Sequence, residues 1–239
     1  MVDFRGSQPS SDVAILIIMI GTRKPRFKIC CISNPQEAQQ AVRAGASALG
    51  LVGAMPSGPG VITDEAIRTI AHSVPPPVAT FLLTSETDAA QIIRHQQRVQ
   101  TNTVQIVDTL TIGTYQDIRS ALPGVKLVQV VHVINEASVD EAGRVAEHVD
   151  AVLLDSGNPA LAVKELGGTG RVHNWQLSRR IREQLDKPIF LAGGLHPGNV
   201  RQAIETVEPF GLDLCSGVRS GGKLDARKLE AFFEALERD

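Results

Sequence analysis

The sequence predicts an α/β fold, a single (β/α)8 barrel, and three observations predict it. Between residues 27 and 239, eight short β-type runs alternate strictly with eight helical runs, the order of a parallel barrel. The chain has 239 residues, 43% of them hydrophobic, which supplies one large core without requiring a second domain. No linker, repeat or low-complexity segment divides residues 27–239. The rival, an open doubly wound sheet, is disfavoured because the first βα loop lacks a G-x-G-x-x-G fingerprint.

The elements follow in order. Phe27–Ile32 reads as the first strand, and Asn34 with Pro35 opens a helix that Gly45 stops. Ala48–Val52 is the second strand, followed by a helix capped by Thr63 ahead of Asp64 and Glu65. Val78–Leu83 precedes a helix expected to start at Ser85 before Glu86. Thr103–Val107, Lys126–Val133 and Ala151–Asp155 are strands four to six, with helices near Thr114, Ser138 and Trp175. Pro188–Leu191 and Leu212–Cys215 complete the set, with helices near His196 and Leu224.

Residues 1–26 stand apart and read as a flexible N-terminal extension or an over-called start, residues 1–22 being dispensable and Met19 an alternative beginning. Val13–Ile20 is apolar but far shorter than the ~20 residues that span a bilayer. No small-residue cleavage site follows it, and Thr22-Arg23-Lys24-Pro25-Arg26 is a poor flank for an export signal. A net charge of −2 with no basic run argues against nucleic acid or anionic membrane as partners. Three cysteines, Cys30, Cys31 and Cys215, suit a reduced cytoplasmic protein rather than a disulfide framework.

Candidate site residues come from strand ends, because a parallel barrel does its chemistry on the face where the carboxyl ends meet. Strand alternation puts Lys28, Cys30 and Ile32 on one face and Phe27, Ile29 and Cys31 on the other. Cys30 is therefore expected to point into the barrel mouth and Cys31 into packing. By the same parity Asp155 points inward with Ala151 and Leu153, and Gln105 with Thr103. Gly167-Gly168-Thr169-Gly170 and Ala192-Gly193-Gly194 are loops of the type that cradle phosphate, each leading into a helix. A thiol, an acid and glycine loops on one face suggest an enzyme of a phosphorylated small molecule. No His/Cys/Asp cluster has metal-ligand spacing. Plainer readings exist: a buried strand thiol for Cys30, a capping carboxylate for Asp155, turn geometry for the glycines. Cys215, His132, His173 and Trp175 are assigned to core or rim.

Lys28-Ile29-Cys30, Ala44-Gly45-Ala46 with Leu49-Gly50, Val104-Gln105, Leu153-Leu154-Asp155-Ser156, Gly167–Gly170 with Trp175, Leu191–Leu195, Pro197–Val200 and Ser216-Gly217-Val218 occur in one order. Together, over residues 27–239, they resemble the phosphoribosylanthranilate isomerases of tryptophan biosynthesis. The resemblance implies an Amadori rearrangement of N-(5-phosphoribosyl)anthranilate to 1-(2-carboxyphenylamino)-1-deoxyribulose 5-phosphate, without metal or organic cofactor, by a monomer or homodimer. By matched position Asp155 is the general acid that opens the ribose ring. Cys30 is the base that removes the C2 proton, its thiol expected to be drawn towards thiolate by Lys28. Gly168, Thr169, Gly170, Gly193, Gly194, Ser216, Gly217 and Val218 match the phosphate loops, and Gln105 a substrate contact.

Four positions depart from that family. Cys31 stands where Gly usually follows the catalytic Cys. The loop after strand two reads Pro56-Ser57-Gly58-Pro59-Gly60-Val61, without the Arg that meets the anthranilate carboxylate. Gln105-Ile106-Val107-Asp108 replaces Gln-Leu-His-Gly, and Arg219 replaces a Glu. Losing a charge-assisted pair costs ~2 kcal/mol, and Arg219 or His132 is the expected substitute. Because the departures gather at the aromatic-acid end, a paralogue acting on another phosphosugar conjugate is a second reading. A non-catalytic phosphate-ligand barrel is a third, disfavoured by retention of both Cys30 and Asp155.

Overall fold

The computed structural model describes residues 25–158, 168 and 170–237. Residues 1–24 of the expected extension, and the loop residues Gly167 and Thr169, lie outside them. Eight parallel strands close a barrel in chain order: β1 (Arg26–Ile29), β2 (Ala48–Val52), β3 (Ala79–Thr84), β4 (Thr103–Ile106), β5 (Lys126–His132), β6 (Ala151–Asp155), β7 (Ile189–Leu191) and β8 (Gly211–Leu214). The helices between and after them are α1 (Pro35–Arg43), α2 (Asp64–Ser73), α3 (Ala89–Val99), α4 (Tyr115–Ala121), α5 (Ala137–Ala146), α6 (Trp175–Gln184), α7 (Val200–Val207) and α8 (Ala226–Glu237). The (β/α)8 barrel read from the sequence is the fold found.

Alternation divides the core into two layers. Ile29, Leu49, Leu51, Leu82, Val104, Ile106, Val152 and Leu154 face outward and pack under the helices. Ala48, Phe81, Leu83, Val128, Val130, Leu153 and Phe190 face inward and fill the barrel. Phe81 and Phe190 meet edge to face with centroids 6.0 Å apart, the geometry aromatic rings favour. Asn34 caps α1 by accepting from Glu37 N–H, and Thr63 caps α2 by accepting from Ala66 N–H, as their sequence context implies.

Elsewhere the boundaries move for identifiable reasons. Helix α3 starts at Ala89, capped by Asp88 rather than Ser85, because Ala89 N–H first bonds Ile112 O. The loop before α7 runs to Asn199, whose side chain bonds both His196 N–H and Gly194 O. Before α8, Arg219–Ser220 (β9) and Lys223–Leu224 (β10) form a hairpin across Gly221-Gly222, both at positive φ.

The first strand matters most. It ends at Ile29, and Cys31 adopts φ +62°. One left-handed residue breaks the two-residue period, so Ile32 turns outward to the helix layer and Cys31 inward to the barrel cluster. The expectation that Cys31 packs beneath the helices is therefore corrected.

Candidate active site

At the carboxyl ends of the strands lies a cavity of ≈ 680 Å³, counted to its open throat. Cys30, Gln105 and Asp155 line it together with Gly168, Gly170, Gly193, Gly194 and Ser216. These are residues that sequence parity and the loop motifs had singled out. Cys31, Asp213 and Cys215 share the same wall and were not anticipated there.

Asp213 forms the floor with Lys28. Register pairs the two residues across the β1–β8 seam, and Lys28 Nζ donates to Asp213 Oδ2 at 2.8 Å with no exposure of the lysine. Burial pulls the ammonium down, but Asp213 outweighs it and holds Lys28 above its ordinary value. Burial in turn pushes the Asp213 carboxyl up to about 7, against the pull of Lys28. The ammonium also sits 5.3 Å from the centre of the Phe81 ring. A Cβ at Gly50 would lie 2.9 Å from Cys30 Sγ and 3.1 Å from Lys28 Nζ. Glycine there lets the thiol and the ammonium converge.

That convergence does not draw Cys30 to thiolate, contrary to expectation. Its hydrogen bond to Cys215 and its burial push the thiol up, and these outweigh Lys28. Cys215 is also misassigned by the sequence reading: it lies past the end of β8 on the cavity wall, half-buried, with its Sγ 3.0 Å from that of Cys31. Hydrogen bonds from Cys30 and Cys31 hold Cys215 down at about 4.

Asp155 closes β6, opposite His132 in register. It is buried, and burial raises its carboxyl above the ordinary range despite the Ser156 N–H at 2.7 Å and the nearby His132. A buried carboxyl that keeps its proton above that range can act as an acid. Gln105 presents an Oε1 that is buried with no partner, so a donor from a bound molecule would satisfy it. His132 Nε2–H donates to Val107 O, 3.2 Å away, and the ring lies in a neighbouring recess beside Asp108 and Glu141. His173 is held by Ser178 at 2.7 Å, and burial lowers it to about 4.

The glycine loops interlock. Gly168, Gly170, Gly193 and Gly194 all have positive φ, which L side chains adopt at a cost. A Cβ on Gly170 would touch Ser216 Oγ, joining the loops after β6 and β8. At Gly217 a Cβ would fall 2.1 Å from Leu195 O, a backbone atom of the loop after β7. Gly217→Ala is therefore expected to cost about 1–3 kcal/mol, read as a lower denaturant midpoint. An unchanged midpoint would mean the two loops yield freely. Val218 packs in the helix layer with its N–H on Cys215 O, so its side chain does not face the cavity.

Arg219 does not reach the mouth, which corrects its expected role as a substrate contact. Its guanidinium pairs with Glu37 at 3.3 Å and donates to Cys30 O, Cys31 O and Gly222 O. Glu37, despite its burial, is held below the usual carboxylate range by Leu224 N–H, Ser33 N–H and Arg219. This buried pair thus ties the left-handed turn at Cys31 to α1 and the β9–β10 hairpin. Among the described residues no Arg or Lys lines the cavity.

Comparison with known proteins agrees with this geometry. A family model described as N-(5'phosphoribosyl)anthranilate (PRA) isomerase matches residues 27–235. The N-(5'-phosphoribosyl)anthranilate isomerase of Haloarcula marismortui is 35% identical over 198 residues, 82% of this chain and 88% of that one. A phosphoribosyl anthranilate isomerase crystallised with reduced 1-(o-carboxyphenylamino)-1-deoxyribulose 5-phosphate superposes with TM-score 0.72 at 28% identity, covering 90% of this chain and 99% of that one. Monomers of the dimeric phosphoribosylanthranilate isomerase from Thermotoga maritima superpose with TM-score 0.73 at 27% identity, with 90% and 99% covered. With a family model matched over residues 27–235 and a relative 35% identical over 82% of this chain, the chain belongs to the N-(5'-phosphoribosyl)anthranilate isomerase family.

Proposed function

We propose that the protein isomerises N-(5-phosphoribosyl)anthranilate to its 1-deoxyribulose product by general acid–base catalysis, with Asp155 the acid and Cys30 the base. The observation that carries this is the pairing of a buried, proton-holding Asp155 with Cys30 in one cavity ringed by positive-φ glycines. Asp155 gives its proton to the ring oxygen as the furanose opens to a Schiff base. Cys30, as thiolate, then takes the C2 proton, and the enolamine collapses to the ketose. The backbone N–H groups of the loops at Gly168–Gly170, Gly193-Gly194 and Ser216-Gly217 hold the phosphate, and Gln105 Oε1 accepts from a substrate hydroxyl. A monomer or homodimer in the cytoplasm completes the reading, supported by three free cysteines and a described chain in which no helix is long and apolar enough to cross a membrane.

Complementation tests it. Expression in a tryptophan auxotroph lacking this isomerase should restore growth, and loss of growth on Cys30→Ala or Asp155→Ala should follow. No growth with abundant wild-type protein would transfer the assignment to the second reading, an isomerase of a phosphosugar conjugate without a carboxylate. That reading rests on the absence of any Arg or Lys on the cavity wall among the described residues.

The acid–base roles predict an unusual pH profile. The active form pairs a protonated Asp155 with an ionised Cys30, although Asp155 starts lower and Cys30 is pushed up. The acid limb of kcat/KM then follows Asp155 and the alkaline fall follows Cys30. In Asp155→Asn the residual rate should rise through the thiol range with no alkaline fall. A persisting alkaline fall in that variant would remove Asp155 as the acid.

A further inference from the structure

All three cysteines of the chain meet at the mouth, yet the rearrangement uses one. Cys31 Sγ lies 3.0 Å from Cys215 Sγ and 3.8 Å from Cys30 Sγ. The three are not arranged to hold a metal ion. The contact is built at a cost, since Cys31 sits at φ +62°. A non-glycine side chain is strained in that conformation. Among the described residues the two other non-glycine positions with positive φ, Gln100 and Glu208, are helix C-caps, where that conformation is ordinary. Cys31 has no helix to end. Its side chain is fenced by the loop after β2, with Pro59 O 3.5 Å from Sγ and Gly60 against its Cβ. The wall thus confines Cys31 beside Cys215, which is half-buried and faces the open cavity.

We propose that Cys31 and Cys215 form a reversible oxidation site, converted by a peroxide to a disulfide while Cys30 stays reduced. The Cys215 thiolate attacks one peroxide oxygen and breaks the O–O bond. It becomes a sulfenic acid, and the other oxygen leaves and takes a proton, as water from hydrogen peroxide or an alcohol from an alkyl peroxide. Cys31 then attacks the sulfenic sulfur, the S–S bond forms, and the hydroxyl leaves with the thiol proton as a second water. Two thiols have lost two electrons, and the peroxide has gained them. Closing the bond requires the sulfur atoms to approach from 3.0 Å to about 2.05 Å. Cys215 reacts first because it is the most accessible of the three and its neighbours' hydrogen bonds pull its thiol down, whereas Cys30 is buried with its pKa pushed up.

The full-length protein, treated with hydrogen peroxide, alkylated and mapped by mass spectrometry, tests this. Titratable thiols should fall from three to one, a crosslink should join the Cys30-Cys31 peptide to that of Cys215, and dithiothreitol should restore all three. Because Cys30 and Cys31 share a peptide, Cys31→Gly assigns the partner, and glycine suits that backbone. In Cys31→Gly the crosslink should vanish and dimedone should label Cys215 as a sulfenic acid. A crosslink that persists in Cys31→Gly joins Cys30 to Cys215 and overturns the proposal. So does a wild-type protein that keeps three thiols, or one in which Cys30 is oxidised before Cys215.

Discussion

Cys30→Ala and Asp155→Ala are each expected to lower kcat by about 10²–10⁴-fold, the usual worth of one positioned acid or base. Either loss corresponds to roughly 3–5 kcal/mol of transition-state stabilisation. Neither side chain anchors the phosphate, so binding of the reduced 1-(o-carboxyphenylamino)-1-deoxyribulose 5-phosphate seen in the related crystal structure should persist. Calorimetry of the variants checks this alongside steady-state turnover. A variant that loses ligand affinity in proportion to kcat would show that the residue binds rather than catalyses. Because the two act as a unit, the double variant should fall little below the slower single one.

The second large effect is on stability. Lys28→Met should cost about 3–5 kcal/mol, because it leaves the buried Asp213 carboxyl without its partner inside the barrel. Lys28→Met with Asp213→Leu should recover most of that loss, since apolar replacement of a buried pair is often neutral. Chemical denaturation measures both. The pH dependence has a definite sign. The folded Asp213 has its pKa raised to about 7 from 3.8, so its protonated form is favoured by folding. The stability it contributes is present below the unfolded value and is lost as pH rises through about 7. Removing Lys28 takes away the pull that lowers this pKa. The decline should therefore extend to higher pH in Lys28→Met. A variant as stable as wild type at pH 8 would show that Asp213 is relieved by other means.

Much of the site is legible in the sequence, for a local reason. Period two along a strand assigns Cys30, Gln105 and Asp155 to the inward face, and a strand's end assigns them to the mouth. The structure places all three on the cavity wall. Gly168, Gly170, Gly193 and Gly194 are legible because only glycine enters these positive-φ turns without cost. Cys31 escaped because the alternation rule assumes extended backbone, and its left-handed turn reverses the rule for every residue after it. The one signal was the departure itself, a side chain where the family's usual residue is glycine. Arg219 escaped for another reason: its charge suggested a ligand, but Glu37 and three backbone carbonyls already claim it.

The sequence by itself determined the barrel, the order of its strands, which faces turn inward and which residue types gather at the mouth. These follow from periodicity and turn chemistry, which act over a few residues. Only the tertiary structure decided who meets whom. Lys28 finds Asp213 because β1 closes on β8 across 185 residues of chain. Cys31 finds Cys215 through the same closure, once a single dihedral has turned it inward. Registry and closure depend on the packing of the whole barrel, so no local pattern could have named those partners.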